Sequence, residues 1–215
     1  MTVLVFANGD LQPGAWLQER LASATAIVAA DGGAAYVLAA GYWPHVVIGD
    51  LDSLVPEQRD ALEEAGVTFL LHPEAKDETD LELALLHAAA TYVEPIEIIA
   101  GLGGRLDQLL ANVFLLLHPA LRGRQIRFLT PHQTIWLVQS DTVVHGEPGD
   151  KVSLIPLGGD VHVRTATGLA WPLQDDVLTV GPARGVSNEM TSSRATVSVA
   201  SGDLLCVHTT RRWLR

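Results

Sequence analysis

The feature that most constrains this chain is a change in hydrophobic rhythm near residue 130. Before it, apolar runs of three to five residues, at 3–7, 26–30, 46–48, 67–71, 96–100 and 126–129, alternate with amphipathic segments. Runs this short and this apolar read as buried strands. Between them, Leu81, Ala84, Leu85 and Ala88 fall at i, i+3, i+4 and i+7, and Leu106, Leu109, Leu110, Val113, Phe114 and Leu117 continue such a stripe over three turns. Strands alternating with helices predict βαβ units and a mostly parallel sheet with flanking helices. After residue 130 no helical period remains. Short β-branched runs at 135–138, 151–155, 161–164, 177–180, 195–199 and 204–208 are separated by Gly, Pro, Asp and Ser, which predicts a small all-β sandwich or open barrel. The expected organisation is an α/β domain over 1–131 and an all-β domain over 132–215.

Composition excludes several classes. A net charge of −11 with no basic stripe argues against a nucleic-acid partner, because phosphate-backbone affinity comes from clustered Lys and Arg. The terminal cluster Arg211-Arg212-Trp213-Leu214-Arg215 reads as a solvated tail. No run reaches 18 apolar residues, so no membrane span is expected. Cys206 is alone, which rules out an intrachain disulfide and suits a reducing, cytoplasmic setting, with the thiol as a small buried hydrophobe. The eight His are scattered without His-x-x-x-His spacing, so zinc is not expected.

In a parallel sheet ligands bind beyond the carboxyl ends of the strands, and four acidic or glycine-rich segments sit there. They are Asp31-Gly32-Gly33-Ala34, Gly49-Asp50-Leu51-Asp52-Ser53, Lys76-Asp77-Glu78-Thr79-Asp80 and Gly101-Leu102-Gly103-Gly104-Arg105-Leu106-Asp107. Two carboxylates about 4 Å apart repel by roughly 4 kcal/mol at an effective dielectric near 20. Gathering them makes sense if a divalent cation and phosphates occupy the edge. Asp50 and Asp52 flank one residue, and in an extended segment both would face one cation; the plain alternative is a turn in which Asp and Ser bond nearby amides. Thr79-Asp80-Leu81-Glu82 has the form of a capping box, which accounts for Thr79 and Glu82 and leaves Asp80 as a candidate metal ligand. The Gly103-Gly104 loop opens the longest expected helix. Arg105 in its first turn runs against the helix dipole, and an anion to fork onto would explain it. In the β region, Trp171 beside Pro172 is either a core residue or a stacking platform, and Ser187-Asn188 is by default a turn.

Taken in order, these segments, together with Gly168-Leu169-x-Trp171-Pro172-Leu173 and Ser187-Asn188, resemble the thiamine pyrophosphokinase family over nearly the whole chain. The resemblance implies a Rossmann-like domain followed by a thiamine-binding β domain. It also implies transfer of the pyrophosphoryl group of ATP to thiamine, giving thiamine diphosphate and AMP, in a homodimer with the active site between subunits. Carried over, Asp50, Asp52 and Asp80 bind Mg2+. Asp31, Gly32, Gly33, Lys76, Thr79, Gly103, Gly104, Arg105 and Gln108 surround the nucleotide. Asp107 supports the site, and Trp171, Ser187 and Asn188 meet thiamine. Asp80 or Asp107 is expected to orient the thiamine hydroxyl. One departure is Gln108, where the family usually has His; Gln does not titrate near neutral pH. The alternatives are a pyrophosphokinase for another hydroxymethyl heterocycle such as a pterin, a phosphatase using an Asp nucleophile at Asp50-Leu51-Asp52, and a non-catalytic thiamine or nucleotide sensor.

Overall fold

The computed structural model describes residues 1–214, with side chains through Arg212; Arg215, the last residue of the basic cluster, lies outside the described residues. The chain divides into two compact units, Met1–Pro131 and the residues from His132 onward.

The first unit runs β1 (Val3–Phe6), α1 (Ala15–Ser23), β2 (Ala26–Ala30), α2 (Gly33–Ala39), β3 (Val46–Gly49), α3 (Pro56–Glu64), β4 (Thr68–Leu71), α4 (Asp80–Thr91), β5 (Ile96–Ile99), α5 (Leu106–Phe114) and β6 (Ile126–Leu129). Its strands lie in the order β6-β5-β1-β2-β3-β4, every pair parallel. β1, β2, β3 and β5 are buried at every residue, which is why they read as apolar runs, interrupted in β5 only by Glu97, whereas edge strand β4 is not buried. β1 lies between β2 and β5, so the chain's direction of travel across the sheet reverses there. That makes the loops after β1 and β5 the walls of a topological switch point.

α4 buries Leu81, Ala84, Leu85 and Ala88, the stripe its spacing predicts, and packs on β1, β2 and β3. α5 departs from expectation. It is shorter than α4, gives way to a 3-10 turn at Leu115–Leu117, and buries none of its own residues. Leu106, Leu110 and Phe114 are 69%, 47% and 49% exposed, so the predicted apolar stripe exists but faces outward.

The second unit is antiparallel throughout. One sheet has the order β12-β9-β14-β7 and the other β11-β10-β13-β8. The strands are β7 (Gln133–Val138), β8 (Asp141–His145), β9 (Lys151–Pro156), β10 (Val161–Thr167), β11 (Leu173–Leu178), β12 (Asn188–Glu189), β13 (Arg194–Ser201) and β14 (Leu204–Thr209). Alternate residues such as Val161 and Val163, Ala195, Val197 and Val199, and Leu204 and Cys206 form one core between the sheets, the arrangement of a β sandwich. Cys206 is fully buried, and burial pushes its thiol pKa far up. β8 and β12 have no counterpart among the expected strands. The terminal residues are also more ordered than a solvated tail: Arg211–Leu214 is a 3-10 turn, and the Arg211 amide donates to Asp150 Oδ1 at 2.8 Å.

Candidate active site

The carboxyl edge of the parallel sheet carries a cavity of about 480 Å³. Asp31, Asp50, Lys76, Thr79, Asp80, Gly103, Gly104, Arg105 and Gln108 all line it, so the segments after β2, β3, β4 and β5 meet at one place.

Asp31 closes β2 in the left-handed region, at φ 43°, and is 6% exposed. Its amide donates to Ile48 O and its carbonyl accepts from Ala34, which locks the turn between β2 and α2 to β3. The following Gly33 sits where a Cβ would lie 2.3 Å from Phe6 O, so no side chain fits between this turn and β1. Asp50 and Asp52 come together, but not through an extended segment. Leu51 has φ 64° and buries its side chain among Ala29, Ala34, Val47 and Leu62, while the Asp52 amide donates to Asp50 Oδ1 at 3.3 Å. The turn considered as the plain alternative is therefore present, and it brings the two carboxylates to one side without strand geometry. An oxygen from each of Asp31, Asp50 and Asp52 lies within 4.8 Å of the others. Asp80 faces the same cavity but is not in that trio.

Lys76 is the cation among these acids. Its Nζ lies 3.0 Å from Asp80 Oδ1 and 3.8 Å from Asp50 Oδ2, and it donates to Pro73 O. Burial works against its charge, but Asp80, Asp50 and Asp31 outweigh burial and hold its pKa above the usual lysine value. For Asp80 burial is the leading influence and raises the pKa; Lys76 pulls it down, and the neighbouring acids add to the rise. Thr79 caps α4, accepting the Glu82 amide at 3.2 Å. Glu82 does not complete the box: its carboxylate faces His118 at 3.5 Å.

Arg105 does fork, but onto Asp107. Its Nε donates to Oδ1 at 3.1 Å and its NH2 to Oδ2 at 2.5 Å, with both side chains mostly exposed. The carboxylate occupies the geometry expected of an anion, and the Arg105 partner holds the Asp107 pKa below the usual range. Asp107 itself does not line the cavity.

In the second unit Trp171 is 64% exposed, so it is not a core residue. Asn188 is buried. Its Oδ1 accepts from the amides of Trp171 and Glu189 at 3.0 and 2.9 Å, and its Nδ2 donates to Trp171 O at 2.5 Å. Ser187 is exposed, with φ 60° and its amide bonded to Ser153 Oγ. The anticipated turn ends at Ser187; Asn188 opens β12, and its amide side chain serves the Trp171 backbone.

The sequence reading passed over the loop after β1. Asn8 and Gly9 line the cavity, and Asp10 Oδ2 accepts the Gly104 amide at 3.1 Å. Gly103, at φ 87°, could not carry a Cβ, which would lie 2.3 Å from that oxygen. Tyr36 Oη steadies the loop by donating to Gly9 O at 2.7 Å. Asn8-Gly9-Asp10 follows an apolar run just as the other acidic segments do, and that placement was the available signal. Asn112, one turn beyond Gln108, also lines the cavity and donates to Gly101 O. Nothing in its immediate sequence marks it.

The donors that converge near Asp50 are carboxylate oxygens, the hard ligands that Mg2+ takes, and Asp31 Oδ1 is buried without a hydrogen-bond partner. The residues present thus fit such an ion. Carboxylates, a lysine and a glycine loop at the switch point of a parallel sheet define an α/β enzyme that handles phosphoryl groups. Residues 17–128 match the family described as thiamin pyrophosphokinase, catalytic domain, and residues 141–204 match the thiamin pyrophosphokinase, vitamin B1 binding domain. The chain is 32% identical to a thiamine pyrophosphokinase of Bacillus subtilis over 185 residues, 85% of this chain and 86% of that protein. The crystal structure of thiamine pyrophosphokinase from Bacillus subtilis superposes with a TM-score of 0.87 at 29% identity, covering 98% of this chain and 99% of the other. That of thiamin pyrophosphokinase from Geobacillus thermodenitrificans gives 0.83 at 28% identity, covering 98% of each chain. The chain belongs to the thiamin pyrophosphokinase family.

Proposed function

We propose that this protein transfers the pyrophosphoryl group of ATP to the hydroxyl of thiamine, releasing AMP. The observation that carries the proposal is the cavity in which Asp50, Lys76, Asp80, Gly104 and Arg105 converge, in a chain that also matches a vitamin B1 binding domain. The pterin and phosphatase alternatives find no support in the family matches.

In the reaction the hydroxyl oxygen of thiamine bonds to the β-phosphorus of ATP. The bond from that phosphorus to the α–β bridging oxygen breaks, AMP departs with the bridging oxygen, and the hydroxyl proton is lost. Such transfer asks little covalent chemistry of the protein and much positioning. Asp50 and Asp52 hold Mg2+, which when bound offsets charge on the phosphates. Lys76 brings an ammonium to the phosphates from a side chain only 11% exposed. The β2–α2 turn of Asp31, Gly32 and Gly33 and the loop of Gly103 and Gly104 let the polyphosphate approach backbone amides at helix starts. Arg105 supplies a mobile charge, and its fork onto Asp107 keeps it near the α5 N-terminus until a phosphate competes. Thr79 and Gln108 complete the wall. Both Asp107 oxygens are engaged by Arg105, whereas Asp80 lines the cavity, so Asp80 is the carboxylate that orients the hydroxyl.

Trp171 offers an exposed ring for the flat heterocycles of thiamine, with Ser187 beside Asn188 as a polar contact and Asn188 as its support. The active form is a homodimer; the outward apolar stripe of Leu106, Leu110 and Phe114 supports a protein partner. The buried, unpaired Cys206 supports a cytoplasmic, reducing location. No helix among the described residues is long and apolar enough to cross a membrane. Purified protein with ATP, Mg2+ and thiamine should produce AMP and thiamine diphosphate in equal amounts. ADP or inorganic phosphate as the main product would overturn the proposal. Trp171→Ala should raise the KM for thiamine well beyond any rise in the KM for ATP.

A further inference from the structure

The cavity at the carboxyl edge is divided chemically. The segments after β2, β3 and β4 bring Asp31, Asp50, Lys76 and Asp80 to it, all charged. The loop after β1 and helix α5 bring Asn8, Gln108 and Asn112, all uncharged carboxamides. Arg105, at the start of α5, is turned onto Asp107. In the sheet β5 and β3 are three strand spacings apart, roughly 14 Å. Phosphates answer the charged side. A nucleotide laid along this edge therefore brings its uncharged, hydrogen-bonding nucleoside to the carboxamides.

Asn112 is the carboxamide whose orientation the protein fixes. Its Nδ2 donates to Gly101 O at 2.9 Å. A carbonyl oxygen only accepts, so the amino group must face it and Oδ1 must be the atom turned away. Gly101 is held by the sheet core, since a Cβ on it would lie 2.7 Å from Ile98 Cγ2 and Phe128 Cε1. α5 buries none of its own residues, so this bond ties the helix to the loop after β5 where packing does not. Oδ1 has no partner among the described residues, nor is it sealed from solvent. It is a fixed acceptor on the wall of the cavity.

Gln108 lies four residues earlier on the same helix face. Its side chain makes no hydrogen bond among the described residues, so it is free to present either its donor or its acceptor. The edge of adenine complements this pair: an amine that donates, beside a ring nitrogen that accepts. In a 6-oxopurine a carbonyl oxygen replaces the amine and would meet Oδ1 acceptor to acceptor. Gln108 can turn to suit either base. Asn112 cannot, because turning it would set Oδ1 against Gly101 O.

We propose that Asn112 is a specificity-determining residue: Oδ1 accepts from the 6-amino group of the purine, Gln108 donates to the adjacent ring nitrogen, and the cavity selects a 6-aminopurine nucleotide over a 6-oxopurine one. This rests on the pyrophosphoryl transfer given under the proposed function and deepens it by fixing the base of the donor.

The test is kcat/KM for thiamine diphosphate formation with four nucleotides: ATP, purine riboside triphosphate, which lacks the amine, inosine triphosphate, and 2′-deoxyATP. In the wild type, removing the amine should lower kcat/KM roughly tenfold, and inosine triphosphate should be lower again. Asn112→Ala and Asn112→Ser should bring ATP and inosine triphosphate to within about threefold of each other. The ratio of ATP to 2′-deoxyATP should stay at its wild-type value in both variants. Thermal melts should show both folded, since Asn112 is half-buried and makes one side-chain hydrogen bond; the wild-type nucleotide series needs no variant at all. Equal kcat/KM for ATP and inosine triphosphate in the wild type overturns the inference and leaves the proposed function standing. So does a loss in Asn112→Ala shared equally by both nucleotides, which makes Asn112 only a tie to Gly101. A ratio of ATP to 2′-deoxyATP that collapses in the variants puts the contact on the ribose and overturns it as well. If no triphosphate yields thiamine diphosphate, the proposed function falls and takes this inference with it.

Discussion

Asn188→Ala is the substitution that most directly separates a supporting role from a contact with substrate. The resemblance places Asn188 against thiamine, yet its amide makes three hydrogen bonds within the protein, two to Trp171 and one to the Glu189 amide. Each net hydrogen bond contributes about 1 kcal/mol, and a buried group left unpaired costs more. Trp171 and Glu189 are partly accessible, so water replaces some of what is lost, and the expected destabilisation is about 2 kcal/mol. For a chain of this length that lowers Tm by roughly 4–8 °C. The same truncation frees the Trp171 backbone, whose nearest regular pairing is the isolated bridge of Leu169 with Met190. The KM for thiamine should therefore rise while the KM for ATP stays within about twofold. Asn188→Asp keeps the acceptor for both amides but sets a carboxylate against Trp171 O, so it should fall between wild type and Asn188→Ala in Tm. Calorimetry and steady-state kinetics on the three proteins decide the matter. An unchanged Tm for Asn188→Ala, with a raised KM for thiamine, would refute the support argument and restore Asn188 as a direct substrate contact.

Three further outcomes follow from the packing. Gly33→Ala sets a Cβ 2.3 Å from Phe6 O, a backbone atom that cannot yield, so the variant should unfold well below the wild-type temperature or fail to accumulate folded; a normal melt would contradict the close approach. Glu97 is fully buried in β5 with Arg127 and Arg20 on one oxygen and the other unpaired. Because both arginines are about two-fifths exposed, Glu97→Ala should cost about 2 kcal/mol, less than a fully buried pair, and Glu97→Leu should cost less than Glu97→Ala in urea denaturation. For Asp150, burial raises the pKa, but the amides of Arg211 and Glu147 and the His208 ring outweigh burial and hold it below the usual 3.8. A depressed folded pKa contributes stability above about 3.8 and loses it as pH falls toward the folded value. The Tm gap between wild type and Asp150→Asn should therefore be full at neutral pH and narrow below about pH 4; a constant gap would argue against ionic stabilisation.

The sheet was legible because its physics is local. A strand buried on both faces needs an unbroken apolar run, and the run at 26–30 coincides with β2; the run at 126–129 coincides with β6, which buries Ile126 and Phe128 with Arg127 between them. The α4 stripe was legible for the same reason: its four periodic residues are its four buried ones. α5 shows the limit of that reasoning. Periodicity says that a helix has an apolar face, not what covers it, and here none of its residues is buried. Asp50 and Asp52 were legible as a pair, but the path of the chain between them was not, because Leu51 takes a left-handed conformation that a leucine does not advertise. Asp10 escaped because its role, holding the Gly104 amide, joins residues 94 apart in sequence. The hydrogen bonds of the Asn188 amide to Trp171 and Glu189 were not legible either, because neither the turn-like sequence nor the resemblance shows which backbone groups a side chain meets.

The left-handed residues say what the cavity asks of the fold. Among the described residues five non-glycine positions have positive φ, and three of them, Asp31, Leu51 and Ala100, follow the carboxyl ends of β2, β3 and β5. Each such residue costs roughly 1 kcal/mol or more, so a fold without a function at this edge would be expected to avoid them. What offsets the cost is visible for each. Asp31 hydrogen-bonds to β3, Leu51 buries its side chain beneath α2 and α3 residues, and Ala100 O accepts the Gly9 amide at 2.8 Å. The strain therefore falls on turns that the sheet core over-determines, and the result is that the Asp31 and Asp50 carboxylates face one cavity. A regular strand-to-helix turn would have left Asp31 and Asp50 free to accept hydrogen bonds from nearby helix N-termini. Rigidity supplied by the buried strands β1, β2, β3 and β5 is what holds the Asp31 carboxylate, whose Oδ1 is buried without a hydrogen-bond partner, at the cavity and available to a ligand.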